Sequence, residues 1–335
     1  MPRAFLPNEF ELIARYFAPL ARSFPGAYGL RDDAAVISPS SGNELVVKTD
    51  TIVAGIDFPP DAAPDLIARK ALRVNLSDLA AKGARPIAYL LDLVLPAAID
   101  ETWIAAFAAG LANDQTEFGV ALIGGDTSST PGPLVIAVSL FGEAPTGRII
   151  RRGGARVDDL IFVTGTIGDA ALGLLALSGA LPELDAAATS FLLDRYRLPR
   201  PRVKLGPELI GIATASIDIS DGLLADLHHL CEVSELDAIV QLGSVPLAPA
   251  ARAVTEEDVQ RLSTVLTGGD DYELLFTAPQ EAADRLAMLS QSIGVPVTPI
   301  GRMTVPANGK RPRVVVLDPQ HRPLDFPSEG WTHFG

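Results

Sequence analysis

The sequence predicts an α/β (α+β) chain folded as two domains, with strands and helices mixed in each. Three observations lead there. The 335 residues exceed what a single hydrophobic core usually organises. Hydrophobic residues make up 48% of the chain, enough to build large cores rather than a disordered polymer. Short apolar runs of strand length and longer helix-spaced segments mix in both halves.

Taken in order, residues 8–20 read as a short amphipathic helix, with Phe10, Ile13 and Phe17 spaced for one face. Residues 45–47 read as a strand running into Thr49-Asp50. Residues 64–82 read as a long helix, opened by Pro64 and ended by Gly83 and Pro86. A strand follows over 88–95. Asp100 suits the N-cap of a helix carrying Trp103, Phe107 and Leu111. Residues 120–123 form a buried strand that is expected to stop at Gly124-Gly125-Asp126, and 134–141 form another. The domain boundary is placed in the basic, glycine-containing segment 147–154, giving domains 1–148 and 149–335.

In the second half, residues 160–164 read as a strand leading into Gly165-Thr166-Ile167-Gly168-Asp169 and an Ala/Leu-rich helix. The proline-containing stretch 181–207 has a helix-like middle. Residues 215–219 read as a strand, Gly222 opens a helix through 230, and 272–276 form a strand after Gly268-Gly269-Asp270-Asp271. Asn75-Leu76-Ser77-Asp78 precedes one Gly-Gly-Asp motif much as Ile219-Ser220-Asp221-Gly222 precedes the other. Two related halves, or chance recurrence of short motifs, both account for this echo.

Composition narrows the function. Asp plus Glu number 41 against 27 Lys plus Arg, a formal charge of −14. With no basic run, this balance argues against nucleic acid as the main partner. Cys231 is the single cysteine, so no disulfide forms within the chain. With four histidines besides, an ordinary Cys/His zinc site is excluded. Residues 1–10 lack a signal-peptide pattern, and no apolar run is long enough to span a membrane. A soluble cytoplasmic protein is expected.

The informative residues are aspartates in apolar or glycine-rich settings: Asp32, Asp33, Asp50, Asp57, Asp78, Asp126, Asp218, Asp221, Asp270 and Asp271. Singly, such residues usually cap helices and turns. Asp78 lies on an apolar helix, where a carboxylate is costly unless a cation meets it; an ion pair with Arg73 or Lys82 is the plain alternative. Carboxylate and hydroxyl ligands suit a hard cation, and several aspartates around a polyphosphate point to Mg²⁺-assisted phosphoryl transfer. The P-loop, the dinucleotide-binding glycine motif, the kinase His-Arg-Asp motif and the EF-hand spacing are all absent. Gly165 to Asp169 reads either as a phosphate-binding turn or as strand–helix packing. Arg148, Arg151 and Arg152 are candidates to clamp a nucleotide phosphate, or a solvated linker.

These segments in order resemble the thiamine-monophosphate kinase family: Asp32-Asp33-Ala34-Ala35-Val36, Lys48-Thr49-Asp50, Gly55-Ile56-Asp57-Phe58, Val74 to Ala81, Gly124-Gly125-Asp126-Thr127, Val163-Thr164-Gly165, Ile217 to Leu223, Gly268 to Leu274 and Gly330 to Phe334. The resemblance implies a two-domain PurM-like fold, with helices packed on one side of a mixed sheet in each domain. It implies phosphorylation of thiamine monophosphate by ATP, several Mg²⁺ ions and a homodimer joined through the N-terminal sheets. It assigns Asp33, Thr49, Asp50, Asp78, Asp126, Asp218 and Asp221 to metal sites, with Asp78, Asp126 and Asp221 catalytic. Gly125, Asp126, Arg152 and Ser220 fall on ATP-contacting positions, and Asp57, Asp270 and Trp331 on thiamine-phosphate positions. An aromatic face and carboxylates suit the cationic thiazolium ring. Three residues depart from the family pattern: Arg31 for a glycine, Lys48 for a small hydroxyl residue, and Thr332 for an aspartate. The rivals are aminoimidazole ribonucleotide synthetase on the same scaffold and a non-catalytic nucleotide or thiamine-phosphate binder.

Overall fold

The computed structural model describes residues 6–258, 260–306, 311–326 and 330. The chain divides into two compact units: Met1–Leu79 with Ala84–Gly147, and Ala80–Gly83 with Arg148–Gly335.

In the first unit the helix expected over 8–20 is broken into three pieces. Asn8 caps a single turn, α1 (Glu9–Leu12), by accepting the Glu11 N–H at 3.0 Å. A π-helical turn follows over Ile13–Phe17, then a 3₁₀ turn over Ala18–Ala21. Pro19 has no N–H to give and falls where the α-helix would continue. β1 (Asn43–Val53) pairs antiparallel with β4 (Val135–Pro145) along its whole length. Between them lie α2 (Pro64–Ala81), β2 (Arg85–Pro96), α3 (Glu101–Phe118) and β3 (Ala121–Thr130), and the sheet order is β1-β4-β2-β3. α2 is buried nearly all round, its Lys70, Arg73, Asn75 and Ser77 included. α3 begins as expected, with the Asp100 side chain accepting the Trp103 N–H at 2.8 Å.

β3 does not stop at residue 123. It continues through Gly124-Gly125-Asp126 to Thr130, pairing parallel with β2 after a register shift between Tyr89 and Leu90. Beyond Ile123 the strand is largely exposed, so it lacks the apolar signal that marks its first half. Gly125 makes the pairing possible. Its φ is +149°, and a Cβ there would stand 1.8 Å from the Leu91 carbonyl oxygen.

Burial along β1 alternates. Val46, Lys48, Asp50 and Ile52 face inward, while Leu45, Val47, Thr49 and Thr51 face out. Elsewhere on the sheet, Ala88, Ile123, Leu90 and Phe141 are covered by Ala21, Phe24, Ala27, Leu30, Ala35 and Ile37.

The second unit carries a seven-stranded sheet of order β11-β10-β7-β9-β5-β8-β6. Its elements in chain order are β5 (Leu160–Thr164), α4 (Asp169–Leu177), α5 (Ala186–Arg197), β6 (Ala215–Asp218), α6 (Leu223–Ser234) and β7 (Asp237–Gln241). Then come α7 (Pro249–Glu257), α8 (Arg261–Thr267), β8 (Leu274–Ala278), α9 (Ala283–Ile293), β9 (Val297–Thr304), β10 (Val314–Leu317) and β11 (Pro323–Leu324). β5 shows why its run is continuously apolar. Ile161 and Val163 join one core with α4 and α6 residues, while Phe162 joins a second core and stacks on Phe276 at 5.4 Å. The strand expected from Tyr272 begins instead at Leu274. Asp270 and Tyr272 hold left-handed φ values of 73° and 50°, incompatible with an extended strand.

Candidate active site

In the first unit, Asp33, Gly125 and Asp126 line one cavity of about 920 Å³, with Ile13, Phe17 and Leu91 on its apolar side. Asp33 and Asp126 are both exposed. Arg31, which stands where the family pattern has glycine, has φ −116°, a value open to any residue. The left-handed conformations in this turn fall on Tyr28, Gly29 and Leu30 instead.

Asp50 and Asp78 meet around a cation supplied by the chain. Lys48 Nζ lies 3.1 Å from Asp50 Oδ1 and 2.9 Å from Asp78 Oδ2. Lys48 and Asp50 are two apart on β1, hence on one face, and Asp78 reaches them from α2. Burial opposes the charge on Lys48, yet Asp78 and Asp50 outweigh it and hold the ammonium above its ordinary range. Burial, joined by the nearby Asp78, pushes Asp50 up to about 6, against the pull of Lys48. The ion pair expected for Asp78 therefore exists with a different partner. Arg73 binds Asp114 and Glu117, and Lys82 donates to the Ser216 carbonyl at 2.7 Å. Thr49 points to the opposite face, where its hydroxyl accepts from Ser139 at 3.1 Å. Asp57 closes its own turn, accepting the Val53 N–H at 2.7 Å.

In the second unit, Asp218 ends β6, and Ser220, Asp221 and Gly222 form the turn into α6. Asp221 is not the N-cap. The turn is held by Asp226, a residue sequence reasoning missed. Its Oδ2 accepts the N–H groups of Ser220, Asp221 and Gly222 at 3.0, 3.0 and 3.2 Å. The available signal was an aspartate four residues after the helix-opening glycine. Burial, and then the charges of Asp221 and Asp218, push Asp226 up to about 8. Asp226→Ala strands three donors. It is expected to cut turnover at least tenfold and to cost about 1–3 kcal/mol in denaturant melts. Asp226→Asn keeps an acceptor oxygen and should retain most of that stability; equal losses in both variants would refute the clamp.

The second Gly-Gly-Asp motif packs on this turn. The Asp270 N–H donates to the Ser220 carbonyl at 2.9 Å, and a Cβ at Gly269 would come within 2.1 Å of that oxygen. In the neighbouring Gly165–Asp169 turn, the Gly165 and Ile167 N–H groups donate to the Pro296 and Pro246 carbonyls. Gly168 and Ala170 N–H groups bind the buried Asp271 carboxylate at 2.6 and 3.1 Å, which supports strand–helix packing over phosphate binding there. Burial, reinforced by Asp169, pushes Asp271 up to about 8. Behind the motif, Glu273 is fully buried and gathers Arg195, Arg202 and Thr164. Arg152 is exposed, and Trp331 lies outside the described residues. Among the described residues no three His, Cys, Asp or Glu side chains are grouped to hold a metal ion.

Residues 31–144 match the family model "AIR synthase related protein, N-terminal domain", and 156–312 match "AIR synthase related protein, C-terminal domain". This is the PurM-like fold the sequence led one to expect. A thiamine-monophosphate kinase of Caulobacter vibrioides is 43% identical over 303 residues, covering 90% of this chain and 85% of its own length. The crystal structure of thiamine-monophosphate kinase from Stenotrophomonas maltophilia K279a is 42% identical, with TM-score 0.78, covering 85% of this chain and 89% of that one. AaThiL complexed with AMPPCP and TMP is 30% identical, with TM-score 0.76, covering 90% and 91%. The chain belongs to the thiamine-monophosphate kinase family.

Proposed function

We infer that the chain transfers the terminal phosphoryl group of ATP to thiamine monophosphate, giving thiamine diphosphate and ADP. Family membership over nearly the whole length, with a relative held in complex with an ATP analogue and thiamine monophosphate, carries the reading. The chemistry asks little covalent help of the protein. The acceptor phosphate has a second pKa of about 6 and is ionised near neutral pH, so no strong general base is required. Catalysis is then alignment and charge neutralisation.

The first unit supplies the cavity wall of Asp33, Gly125 and Asp126. Gly125, whose missing side chain admits the neighbouring strand at Leu91, is assigned to the nucleotide as part of that wall. The second unit supplies Asp218, Ser220 and Asp221 on the turn fixed by Asp226. The exposed Arg152 is assigned to the nucleotide phosphates. Asp57, Asp270 and Trp331 are assigned to thiamine monophosphate. The donor sets of Asp33 with Asp126, and of Asp218 with Asp221, are all-oxygen and fit Mg²⁺, as does the Thr49 hydroxyl in kind. Bound there, Mg²⁺ would offset phosphate charge. Asp50 and Asp78 do not fit it as they stand, because an ammonium lies between them.

On this reading both domains hold metal-binding aspartates; domain 1–148 adds the ATP cavity and Asp57, and domain 149–335 adds the phosphate contacts of Arg152 and Ser220 and the substrate contact of Asp270. The open face of β1, with Leu45 and Val47 exposed, suits a homodimer contact. Light scattering is expected to return two chains per particle, and Val47→Glu to return one; a monomeric parent would refute this. No described helix is long and apolar enough to cross a membrane, and a cytoplasmic location accords with the substrates. The direct test of function is ADP release with and without thiamine monophosphate. ADP should form only when both substrates are present; release that ignores thiamine monophosphate, or none at all, would refute the assignment.

A further inference from the structure

We propose that the Lys48 ammonium is the resident cation of the Asp50–Asp78 pair, taking a place that a divalent ion would otherwise fill. The inference rests on the metal-assisted reading above and concerns a residue that reading does not use.

Three observations carry it. First, the ammonium is between the two carboxylates rather than beside one of them, at 3.1 Å from Asp50 and 2.9 Å from Asp78. A divalent ion bridging the same two oxygens would need ligand distances of about 2.0–2.1 Å for Mg²⁺. It would have to occupy the space that Nζ fills. Second, the lysine is anchored. Lys48 lies inside the continuous β1–β4 pairing, opposite Leu140, with Asp50 opposite Val138. The strand's two-residue period keeps Lys48 and Asp50 on one face whatever the loops do. Third, the surroundings favour a fixed cation. Ile52 on β1, Val138 on β4, and Val74 on α2, one turn before Asp78, are all buried apolar residues. Two carboxylates brought together at the border of such a core repel each other unless a positive charge joins them.

The consequence is a difference in charge. Two aspartates alone present −2, the net charge a divalent ion neutralises. With Lys48 between them the group presents −1 before any ion arrives. A divalent ion approaching would meet a like charge at contact distance. The metal complement of this enzyme is therefore carried by its other aspartates, and Asp50 and Asp78 act on the nucleotide phosphates only through a side chain of the protein.

The test counts ions rather than turnover. Mn²⁺ is titrated into the full-length protein with AMPPCP, and bound Mn²⁺ is read from the loss of the free-ion electron paramagnetic resonance signal. Lys48→Met keeps most of the apolar stem and removes the charge. It is expected to bind about one Mn²⁺ more per chain than the parent, since the freed pair is a two-carboxylate oxygen site. Lys48→Arg keeps a cation and should bind the parent's number. In thermal melts, Mn²⁺ should raise the midpoint of Lys48→Met by several degrees more than that of the parent, which also shows that the variant is folded. Equal ion counts in the parent and Lys48→Met, zero included, overturn the proposal. The parent reading fails by a different signal, the absence of ADP release from the unaltered protein.

Discussion

Asp126→Asn is expected to lower turnover by about a hundredfold or more while leaving the melting temperature nearly unchanged. Asp126 is exposed and lines the cavity beside Asp33 and Gly125. Surface substitutions in such positions usually change stability by no more than about 0.5 kcal/mol. The change removes one negative charge and keeps the shape, so its effect falls on charge neutralisation in the transition state, where single groups are commonly worth about 10²–10³. Steady-state kinetics at saturating ATP and thiamine monophosphate, repeated at rising Mg²⁺, decide the matter. Near-normal turnover at saturating Mg²⁺ would remove Asp126 from the reaction centre. A fall in kcat with the KM for thiamine monophosphate preserved would place its contribution at the phosphoryl-transfer step.

Glu273→Gln should do the reverse, acting on the fold first. Glu273 is fully buried and accepts from Arg195 at 2.7 Å, from Arg202 Nε at 2.6 Å and from Thr164 at 2.6 Å. Removing its charge leaves two guanidinium groups facing a neutral amide, one of them deeply buried. Breaking a buried pair in this one-sided way typically costs about 3–5 kcal/mol. In a unit of this size that corresponds to a drop of about 6–20 °C in calorimetric melting. A drop under about 2 °C would mean that water or rearrangement satisfies the arginines at little cost. Activity measured well below the lowered midpoint should fall less than in Asp126→Asn, because Glu273 supports the Gly268–Asp271 motif from behind.

The first unit was legible because its elements carry strong local signals. Asp100 caps α3 where a capping aspartate was read, and α2 runs from Pro64 almost to the expected Gly83. The misread part of the unit lay where backbone contacts outside the segment decide. β3 beyond Ile123 is polar and exposed, and only its pairing with β2 extends it. In the second unit β7, β9, β10 and β11 and helices α7 to α9 carry no such local signal. β9 contains Pro299 and Gly301, residues that argue against a strand when read locally. A Cβ at Gly301 would stand 2.0 Å from the Ile239 carbonyl oxygen, so the breaker is there to admit the neighbouring strand.

The site was legible as a set of residue types and only partly as an arrangement. Lys48 and Asp50, two apart in a strand, announce a shared face. Nothing local announces that Asp78, arriving on α2, completes the trio. Asp226 and Glu273 escaped notice as site supports for the same reason: their work is to bind backbone or arginine groups that come near only in the folded unit.

β1 imposes an unusual asymmetry between kinds of sequence change. Its alternation places Lys48 and Asp50 on the inner face and Leu45, Val47 and Thr49 on the outer one. Replacing any one of them alters one face only. Inserting or deleting a single residue between Val46 and Lys48 would exchange the faces from that point on, turning the charged pair out and its hydroxyl neighbour in. Over evolutionary time this strand should therefore drift by substitution while its length stays frozen, and length variation should accumulate in the turns on either side.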